Sequence, residues 1–177
     1  DLGRVVVPKE IRRTLRIREG DPLEIYVEQG GEIILKKYSP VNELGDFAKE
    51  YCDSLFETSG HIALIADREQ IVAASGAGKK DFLHQPIGMA VENVMEGRRT
   101  EMHNDLSEAK QVRLAPVQTE SDAPIGVLSQ VVTPIIVEGD AIGAVILCTR
   151  QPGIRMGDTE SKLTETAAGF LSKQMSQ

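Results

Sequence analysis

Four basic side chains near the start of the chain recur at helical spacing and could bind a polyanion. They fall at positions i, i+3, i+4 and i+7, and they are Lys9, Arg12, Arg13 and Arg16. On a helix this spacing places all four on one face. Cations held close together repel one another, and a nucleic-acid backbone would relieve that repulsion. The stripe therefore favours DNA binding, with a solvent-exposed basic helix face as the alternative.

The distribution of charge along the chain agrees with that interpretation. The 177 residues carry 20 Lys and Arg against 27 Asp and Glu, which gives a net charge of -7. Residues 1–20 hold six basic and three acidic side chains, whereas residues 39–177 hold 12 basic and 20 acidic ones. Such an asymmetry indicates a nucleic-acid contact at the less acidic end. We expect the acidic remainder to face away from DNA.

Other residues that carry chemistry form no catalytic or metal-binding pattern. The segment Gly76–Lys80 lacks the spacing of a phosphate-binding loop and favours a strand-to-helix turn. No pair of histidines has the i, i+4 spacing of metal ligands, since they are His61, His84 and His103. Cys52 and Cys148 are unclustered, and no carboxylate pair indicates general acid–base chemistry. The sequence therefore predicts no enzyme, no metal site and no cofactor.

The composition is typical of a cytoplasmic globular protein. Hydrophobic residues make up 41% and charged residues 27% of the chain, which are ordinary values. No apolar run approaches the roughly 20 residues that a membrane span needs, and the first twenty residues are too charged for a secretory signal. Two thiols without a spacing motif fit a reducing compartment. Because the chain starts with Asp1 rather than Met, we expect the natural N-terminus to lie upstream.

The elements that must position the basic stripe are predicted to be three short strands and one short helix within residues 1–38. Val5–Val7 is strand-like and ends at Pro8, after which the basic helix begins. Four further patterns follow in order: a turn at residues 18–22, a half-buried strand at 23–28, a hairpin turn at 29–31 and a strand at 33–35.

Residues 1–38 are too few to form a stable core by themselves. Domains below about 40 residues usually need disulfides, a metal or oligomerisation, and this segment has no cysteine and no ligand cluster. A strand pair with exposed edges can complete its sheet with a second copy. We therefore predict a two-fold dimer whose two basic helices face the same way, which suits a pseudo-palindromic DNA site.

Residues 39–43 are predicted to be a linker, because Pro40 lacks a backbone donor and the stretch has no periodicity. From Leu44 onward, helix and strand patterns alternate in a second domain, residues 44–177. They predict a helix from Leu44 to Ser59, strands at 61–67 and 71–74, a helical region at 79–95 that is broken near Pro86, strands at 127–137 and 141–149, and a last helix after 158. Residues 97–124 are polar and interrupted by proline, which predicts weak helix and a long, mobile loop.

The segment L-G-R-V-V-V-P-K-E-I-R-R-T-L, continued by G-D-P-L-E-I-Y-V and I-I-L-K-K-Y, resembles the AbrB-like swapped-hairpin family of bacterial transition-state regulators. The resemblance covers residues 1–38 and implies a β-barrel dimer with strands exchanged between chains. It also implies DNA contacts from Arg4, Arg12 and Arg13, to which the helical stripe adds Lys9 and Arg16. The family has a preceding strand with another arginine, and this sequence starts after it.

The stretch V-T-P-I-I-V-E-G-D-A-I-G-A-V-I-L at residues 132–147, between flanking helices, resembles a GAF domain. This implies an α/β/α sandwich with an antiparallel sheet, and hence an α+β protein. The two modules together resemble a family of regulators from spore-forming bacteria. That resemblance implies a regulator that activates and represses sporulation genes, on the nucleoid and in the forespore.

Two interpretations of the second domain stay open. It binds a small molecule and signals to the DNA-binding dimer, or it serves as an oligomerisation module through its two amphipathic helices and gives a tetramer. An antitoxin that neutralises a partner toxin is the alternative function, although the second domain is folded where antitoxins usually carry a disordered tail. The predicted partners are double-stranded DNA, other copies of the chain and an unidentified small molecule, with no membrane. The sequence identifies neither the ligand-binding residues nor the preferred DNA sequence nor the regulated genes.

Overall fold

The computed structural model describes residues 3–119 and 123–176. Predictions that fall on Leu2 of the N-terminal motif and on residues 120–122 of the polar loop lie outside the described residues. Contacts within the chain divide it into two compact units, residues 1–38 and residues 39–177.

The first unit consists of one short helix and one β-hairpin. Helix α1 spans Lys9–Thr14, strand β1 spans Leu23–Val27 and strand β2 spans Ile33–Lys37. The two strands pair antiparallel with Ile25 opposite Leu35, and Gly31 takes the positive φ of 83° that the connecting turn requires. The predicted strand at Val5–Val7 is wrong for this chain, in which these residues form no ladder. A strand needs a hydrogen-bonded partner, and the described residues of this unit offer it none.

The first unit has no core of its own. None of residues 3–38 is buried, and nine of its large apolar side chains are exposed. They are Val5, Val6, Ile11, Leu15, Ile25, Tyr26, Val27, Ile33 and Ile34. Since burying one such side chain is worth about 1.5–3 kcal/mol, the unit forgoes most of the free energy that could stabilise it.

The predicted linker at residues 39–43 is wrong. Pro40–Glu43 form a short helix, α2, in which Pro40 occupies the first turn and the Ser39 hydroxyl accepts a hydrogen bond from the Asn42 N–H at 3.2 Å. Val41 is fully buried in the second unit. Its Cγ2 would lie 3.2 Å from a Cβ placed on Gly143, where the chain also passes so close to the Ala66 carbonyl that only glycine fits. The burial of Val41, rather than the missing N–H of Pro40, therefore determines the structure of this segment.

The second unit is built on a five-stranded antiparallel sheet in the order β4-β3-β7-β6-β5. Its strands are β3 (Ile62–Ala66), β4 (Ile71–Ser75), β5 (Glu101–His103), β6 (Ser129–Val137) and β7 (Asp140–Thr149). The hairpins β3–β4 and β6–β7 confirm the predicted strand pairs. The edge strand β5 was not predicted, because three half-buried residues in a polar segment show no periodicity.

Helices cover both faces of this sheet. On one face lie α2, α3 (Gly45–Ser59) and α6 (Asp158–Met175), packed on a core that includes Ile65, Val131 and Val145. On the other face lie α4 (Met89–Gly97) and the loops around Phe82 and Ile87, packed on Leu64, Val132 and Ile146. The prediction of helix α3, stopped by Gly60 at φ 74°, is confirmed.

Two segments between the strands contain only short helices. The predicted break in the helical region at 79–95 is confirmed: a 3-10 turn at Lys79–Asp81 and helix α4 from Met89 are separated by an extended stretch at Gln85–Ile87. Within residues 97–119, the structure has β5 and a short helix α5 (Glu108–Arg113). Bridges from Gln70 to Pro86 and from Ile87 to Val117 hold these connections against the sheet, which explains why they depart from local propensity.

The start of helix α6 is held by Glu160. Its carboxylate accepts a hydrogen bond from the Gly157 N–H at 2.8 Å and lies 3.2 Å from Nε2 of His61. Burial on its own raises the pKa of Glu160, but the backbone donors at Gly157 and Glu160 and the His61 imidazole outweigh it. The pKa of this carboxyl is therefore lower in the folded protein than in an unfolded chain.

This pKa shift predicts how stability depends on pH at this helix start. A group whose pKa is lowered by folding stabilises the protein above its unfolded pKa of about 4.3, and the contribution is lost as the pH falls through the folded value. We expect Glu160→Gln to lower Tm at pH 7 and to have a smaller effect near pH 3. Thermal denaturation of both proteins across this range measures the difference in Tm. A difference that does not change with pH would contradict the prediction.

Candidate nucleic-acid interface

Helix α1 presents three of the predicted basic residues on one face. Lys9, Arg12 and Arg13 lie at i, i+3 and i+4 within Lys9–Thr14, and all three are exposed. Pro8 precedes the helix with φ -54° and ψ 146°, so the chain enters α1 from an extended segment. Arg12 and Arg13 occupy the last turn, where cations interact favourably with the helix dipole.

Arg16 does not lie on this helix, and the prediction of a four-residue stripe is wrong in that respect. The helix ends at Thr14, and Arg16 has a left-handed backbone with φ 51°. Its N–H donates to the Arg13 carbonyl at 3.3 Å, and the Ile17 N–H donates to the Arg12 carbonyl at 2.8 Å. This is the Schellman arrangement, in which glycine usually occupies the left-handed position.

Lys37 fixes the peptide of Arg16 to the hairpin. Its ammonium donates a hydrogen bond to the Arg16 carbonyl at 3.1 Å and lies 3.8 Å from the Asp21 carboxylate. Asp21 in turn accepts from the Arg18 N–H at 2.8 Å. The turn after α1 is thus tied to the end of β2. This role of Lys37 could not be predicted from the sequence, because a contact between residues 21 positions apart does not appear in local spacing.

Arg4 lies in the extended segment that precedes Pro8, and its side chain is exposed. We call the five exposed cations before, on and after α1 the basic face: Arg4, Lys9, Arg12, Arg13 and Arg16. None of these five side chains has a carboxylate within ion-pairing distance in the described part of the unit. The face therefore retains its full positive charge for a partner.

The described residues of the second unit hold no cluster of metal ligands and no activated thiol. No group of three or more His, Cys, Asp or Glu in residues 3–119 and 123–176 could hold a metal ion. Burial raises the pKa of Cys52, to which the neighbouring Asp53 adds, and burial raises the pKa of Cys148 to about 12, partly offset by Arg150. A thiol that stays protonated is a poor nucleophile. No helix among the described residues is long and apolar enough to cross a membrane.

The sheet order and its two helical layers define the second unit as a GAF-like module. It resembles the GAF domain of an Acinetobacter phosphoenolpyruvate-protein phosphotransferase with a TM-score of 0.58 and 16% identity, over 79% of this chain and 84% of that one. At this identity the likeness concerns the fold alone. The two units therefore define a class of protein in which a small hairpin unit with a basic helix is followed by a GAF-like module.

Two family models cover the chain between them. One, described as Stage V sporulation protein T C-terminal, transcription factor, matches residues 43–176. The other, described as Antidote-toxin recognition MazE, bacterial antitoxin, matches residues 1–43. The chain is 52% identical to Stage V sporulation protein T of Bacillus subtilis (strain 168) over all 177 residues and 94% of that protein. The chain therefore belongs to the stage V sporulation protein T family of transcription factors.

The chain has a second relative in the same organism. Over 40 residues, 23% of this chain and 41% of that protein, it is 65% identical to Transition state regulatory protein AbrB of Bacillus subtilis (strain 168). The basic face lies within residues 1–43, the part that the MazE family model matches. The predicted combination of an AbrB-like domain and a GAF-like domain in a sporulation regulator is confirmed.

Proposed function

We propose that this chain regulates sporulation genes, as activator and repressor, by placing the basic face on duplex DNA. The observation that carries the proposal is the exposed, unpaired cation set on and around α1. The proposed contacts are made by Arg4, Lys9, Arg12, Arg13 and Arg16. A transcription factor of this family works where the chromosome is, so we place it in the cytoplasm, on the nucleoid and in the forespore.

The backbone at Arg16 supports a role for its side chain. A left-handed residue other than glycine costs about 1–2 kcal/mol, and Arg16 adopts this conformation with φ 51°. Strain of this kind persists where the surrounding structure or a function requires it. Glycine would serve the Schellman turn better, but it has no side chain, whereas arginine can reach a phosphate with a charged donor.

The salt dependence of binding tests the proposal. Each phosphate neutralised by a cation releases condensed counterions, so log K falls with log salt at about 0.9 per contact. If five cations from each of two chains take part, the slope is on the order of -9. Fluorescence anisotropy of the full chain with duplex DNA, from low to moderate salt, measures it. A slope near zero would contradict a phosphate-directed basic face.

The first unit is proposed to form its core together with the first unit of a second chain. The apolar side chains of Ile25, Val27 and Ile33 lie on one face of the hairpin, because Val27 is opposite Ile33 and strand residues alternate between faces. All three are exposed, at 57%, 74% and 67%. A two-fold dimer with exchanged strands would bury them and would give Val5–Val7 the partner that it lacks.

A further association is proposed through the face formed by α3 and α6. Three aromatic rings from these helices form a cluster: Phe170 stacks on Phe47 at 5.8 Å and on Tyr51 at 5.6 Å between centroids. Phe47 and Phe170 remain 36% and 40% exposed. Beside Tyr51 a cleft of about 380 Å³ opens between the helices, with Leu55 and Leu163 among its lining. Such a surface suits packing against the same helices of another dimer.

Replacing the rings of this aromatic cluster should halve the mass of the assembly. We expect light scattering to show a mass near four chains for the native protein and near two chains for the Phe47→Ser/Phe170→Ser variant, because stacked aromatic pairs add about 0.5–1.5 kcal/mol each to their buried area. Val112→Ser is the matched control, since Val112 is an exposed apolar residue on α5. A variant mass of four chains would show that another surface holds the dimers together.

The role proposed for the GAF-like module is to sense a small molecule and shift DNA affinity, with pure oligomerisation as the alternative. A ligand changes DNA affinity only by its differential affinity for the two arrangements, typically 1–3 kcal/mol of coupling. Only two residues separate the end of β2 at Lys37 from the start of α2 at Pro40, and so short a connection favours such coupling. The MazE match of residues 1–43 keeps an antitoxin as the second candidate, although residues 39–177 form a folded unit rather than a toxin-binding tail.

A further inference from the structure

The peptide group that joins Arg16 to Ile17 is held at both of its polar ends. Its N–H, on Ile17, donates to the Arg12 carbonyl at 2.8 Å, and its carbonyl, on Arg16, accepts from Nζ of Lys37 at 3.1 Å. The first bond closes the end of α1, whereas the second comes from the last residue of β2. The peptide group cannot rotate without breaking one of the two bonds, so together they fix the backbone of Arg16.

This fixed backbone is one that arginine does not favour. Arg16 has φ 51°, in the left-handed region, where Cβ of a residue other than glycine crowds the following carbonyl. A right-handed residue would instead continue the helix beyond Thr14, and that form is roughly tenfold more populated where nothing else intervenes. The hydrogen bond from Lys37 opposes this preference directly, because the Arg16 carbonyl turns with the backbone of Arg16.

The ammonium of Lys37 is itself held in place. It lies 3.8 Å from the Asp21 carboxylate, and the two side chains are 23% and 14% exposed. The same carboxylate accepts a hydrogen bond from the Arg18 N–H at 2.8 Å, which fixes it on the turn that follows α1. Lys37 thus reaches from β2 to this turn, and its charge is engaged with Asp21 and with the Arg16 carbonyl.

This engagement distinguishes Lys37 from the cations of the basic face. Those side chains are exposed, whereas the ammonium of Lys37 donates to the backbone of its own unit. A cation that binds a phosphate releases counterions and adds to the salt dependence of binding, whereas a cation that only orders the backbone does not. The two roles therefore differ in a quantity that can be measured.

We propose that Lys37 is a positioning residue for DNA binding, which acts through the backbone of Arg16 and contacts no phosphate. It holds the left-handed turn, so that α1 ends at Thr14 and Arg16 joins the basic face from the turn rather than from the helix. Asp21 orients the ammonium for this contact. The role rests on the DNA contacts proposed for the basic face, and it explains how a strained residue takes part in them.

Two neighbouring lysines of β2 give matched variants of the full chain. Lys37→Met removes the ammonium and keeps the stem, and Lys36→Met makes the same charge change at an exposed residue on the opposite side of the hairpin. Without its support the left-handed turn should fall to about one tenth of its population, so the affinity for a mixed-sequence duplex should drop roughly tenfold per chain and roughly a hundredfold in the proposed dimer.

Anisotropy titrations at several salt concentrations measure both the affinity and its salt slope. In Lys37→Met the slope should stay that of the native chain, because no phosphate contact is lost. Lys36→Met should bind within about twofold of the native chain, as expected for one exposed charge. A loss as large as that of Lys37→Met would mean that net charge, and not the tie to Arg16, sets the affinity.

For Asp21→Asn, charge and position predict opposite results. The amide oxygen still accepts the Arg18 N–H but attracts Lys37 less, so we expect binding to weaken about threefold. The added positive charge alone would strengthen binding. Glu19→Gln makes the same charge change at an exposed residue of the same turn, and it should bind at least as tightly as the native chain. If Lys37→Met does not fold, this pair of variants still decides.

The Arg16→Gly background shows whether Lys37 acts through this backbone. Because glycine adopts a positive φ without strain, adding Lys37→Met to Arg16→Gly should change the affinity by no more than about twofold. An equal loss in both backgrounds, a shallower salt slope in Lys37→Met, or tighter binding by Asp21→Asn would each overturn the positioning role.

Failure of this role can be distinguished from failure of the proposed function. If Arg12→Ala/Arg13→Ala binds duplex DNA like the native chain, the basic face is not the DNA contact and both proposals fall. If that variant loses binding while Lys37→Met binds like Lys36→Met, the basic face stands and the role of Lys37 is wrong.

Discussion

The Arg12→Ala/Arg13→Ala variant should lose nearly all DNA binding while keeping its fold. Both side chains are exposed on α1, so their removal creates no cavity. A charge-assisted hydrogen bond is worth about 1.5–3 kcal/mol, so two per chain, or four in the proposed dimer, predict a loss of about 6–12 kcal/mol, which is more than roughly ten-thousandfold in affinity. Anisotropy at fixed salt measures it.

The matched control is Lys79→Ala/Lys80→Ala, which removes the same charge from two adjacent exposed residues in the second unit. It also tests the rejected phosphate-loop motif at Gly76–Lys80. We expect the control to bind DNA within about twofold of the native chain. The salt slope of the arginine variant should also become shallower, since fewer counterions are released. If both double variants bound equally well, net charge rather than the basic face would govern binding.

The second unit was largely predictable because its periodicity is strong. The apolar positions of α3 recur at helical spacing and end at a glycine with positive φ, and the β6–β7 hairpin is marked by Glu138–Gly139 between two apolar runs. Burial on both faces of the sheet enforces these patterns. The strand β5 escaped prediction because pairing with β6 at Met102, and not its own composition, makes it a strand.

The first unit was predictable in its chemistry but less so in its backbone. Basic residues at i, i+3 and i+4 do share the face of α1, yet a helix end decided by a left-handed residue removes Arg16 from that face. Spacing alone gives no sign of it, because arginine is not the residue expected there. The pairing of His103 with Gln130 was equally invisible, since it arises from the register between two strands whose residues are 27 positions apart in sequence.

Lysine substitutions on the apolar face of the hairpin should abolish DNA binding, although every arginine of the basic face is retained. In the proposed dimer, Ile25→Lys/Ile33→Lys would remove four apolar side chains from the shared core, at a cost of about 6–12 kcal/mol per dimer. It would also place four ammonium groups in an apolar layer, which adds a desolvation cost. Because none of residues 3–38 is buried within a single chain, the first unit has no other core that could stabilise it. We expect the mass to fall from four chains to two and DNA affinity to drop more than a thousandfold.

The comparison variant for this experiment is Glu28→Gln/Glu32→Gln, which makes the same change of two charges at exposed positions around the hairpin turn. It should keep both the four-chain mass and the DNA affinity, since more positive charge near the basic face can only help binding. The thermal transition of the second unit should be the same in both variants, because its sheet and helices carry their own core. Native-like DNA binding by the lysine variant would mean that the basic face works on a single chain. The exposed apolar face of the hairpin would then need another explanation than a second copy.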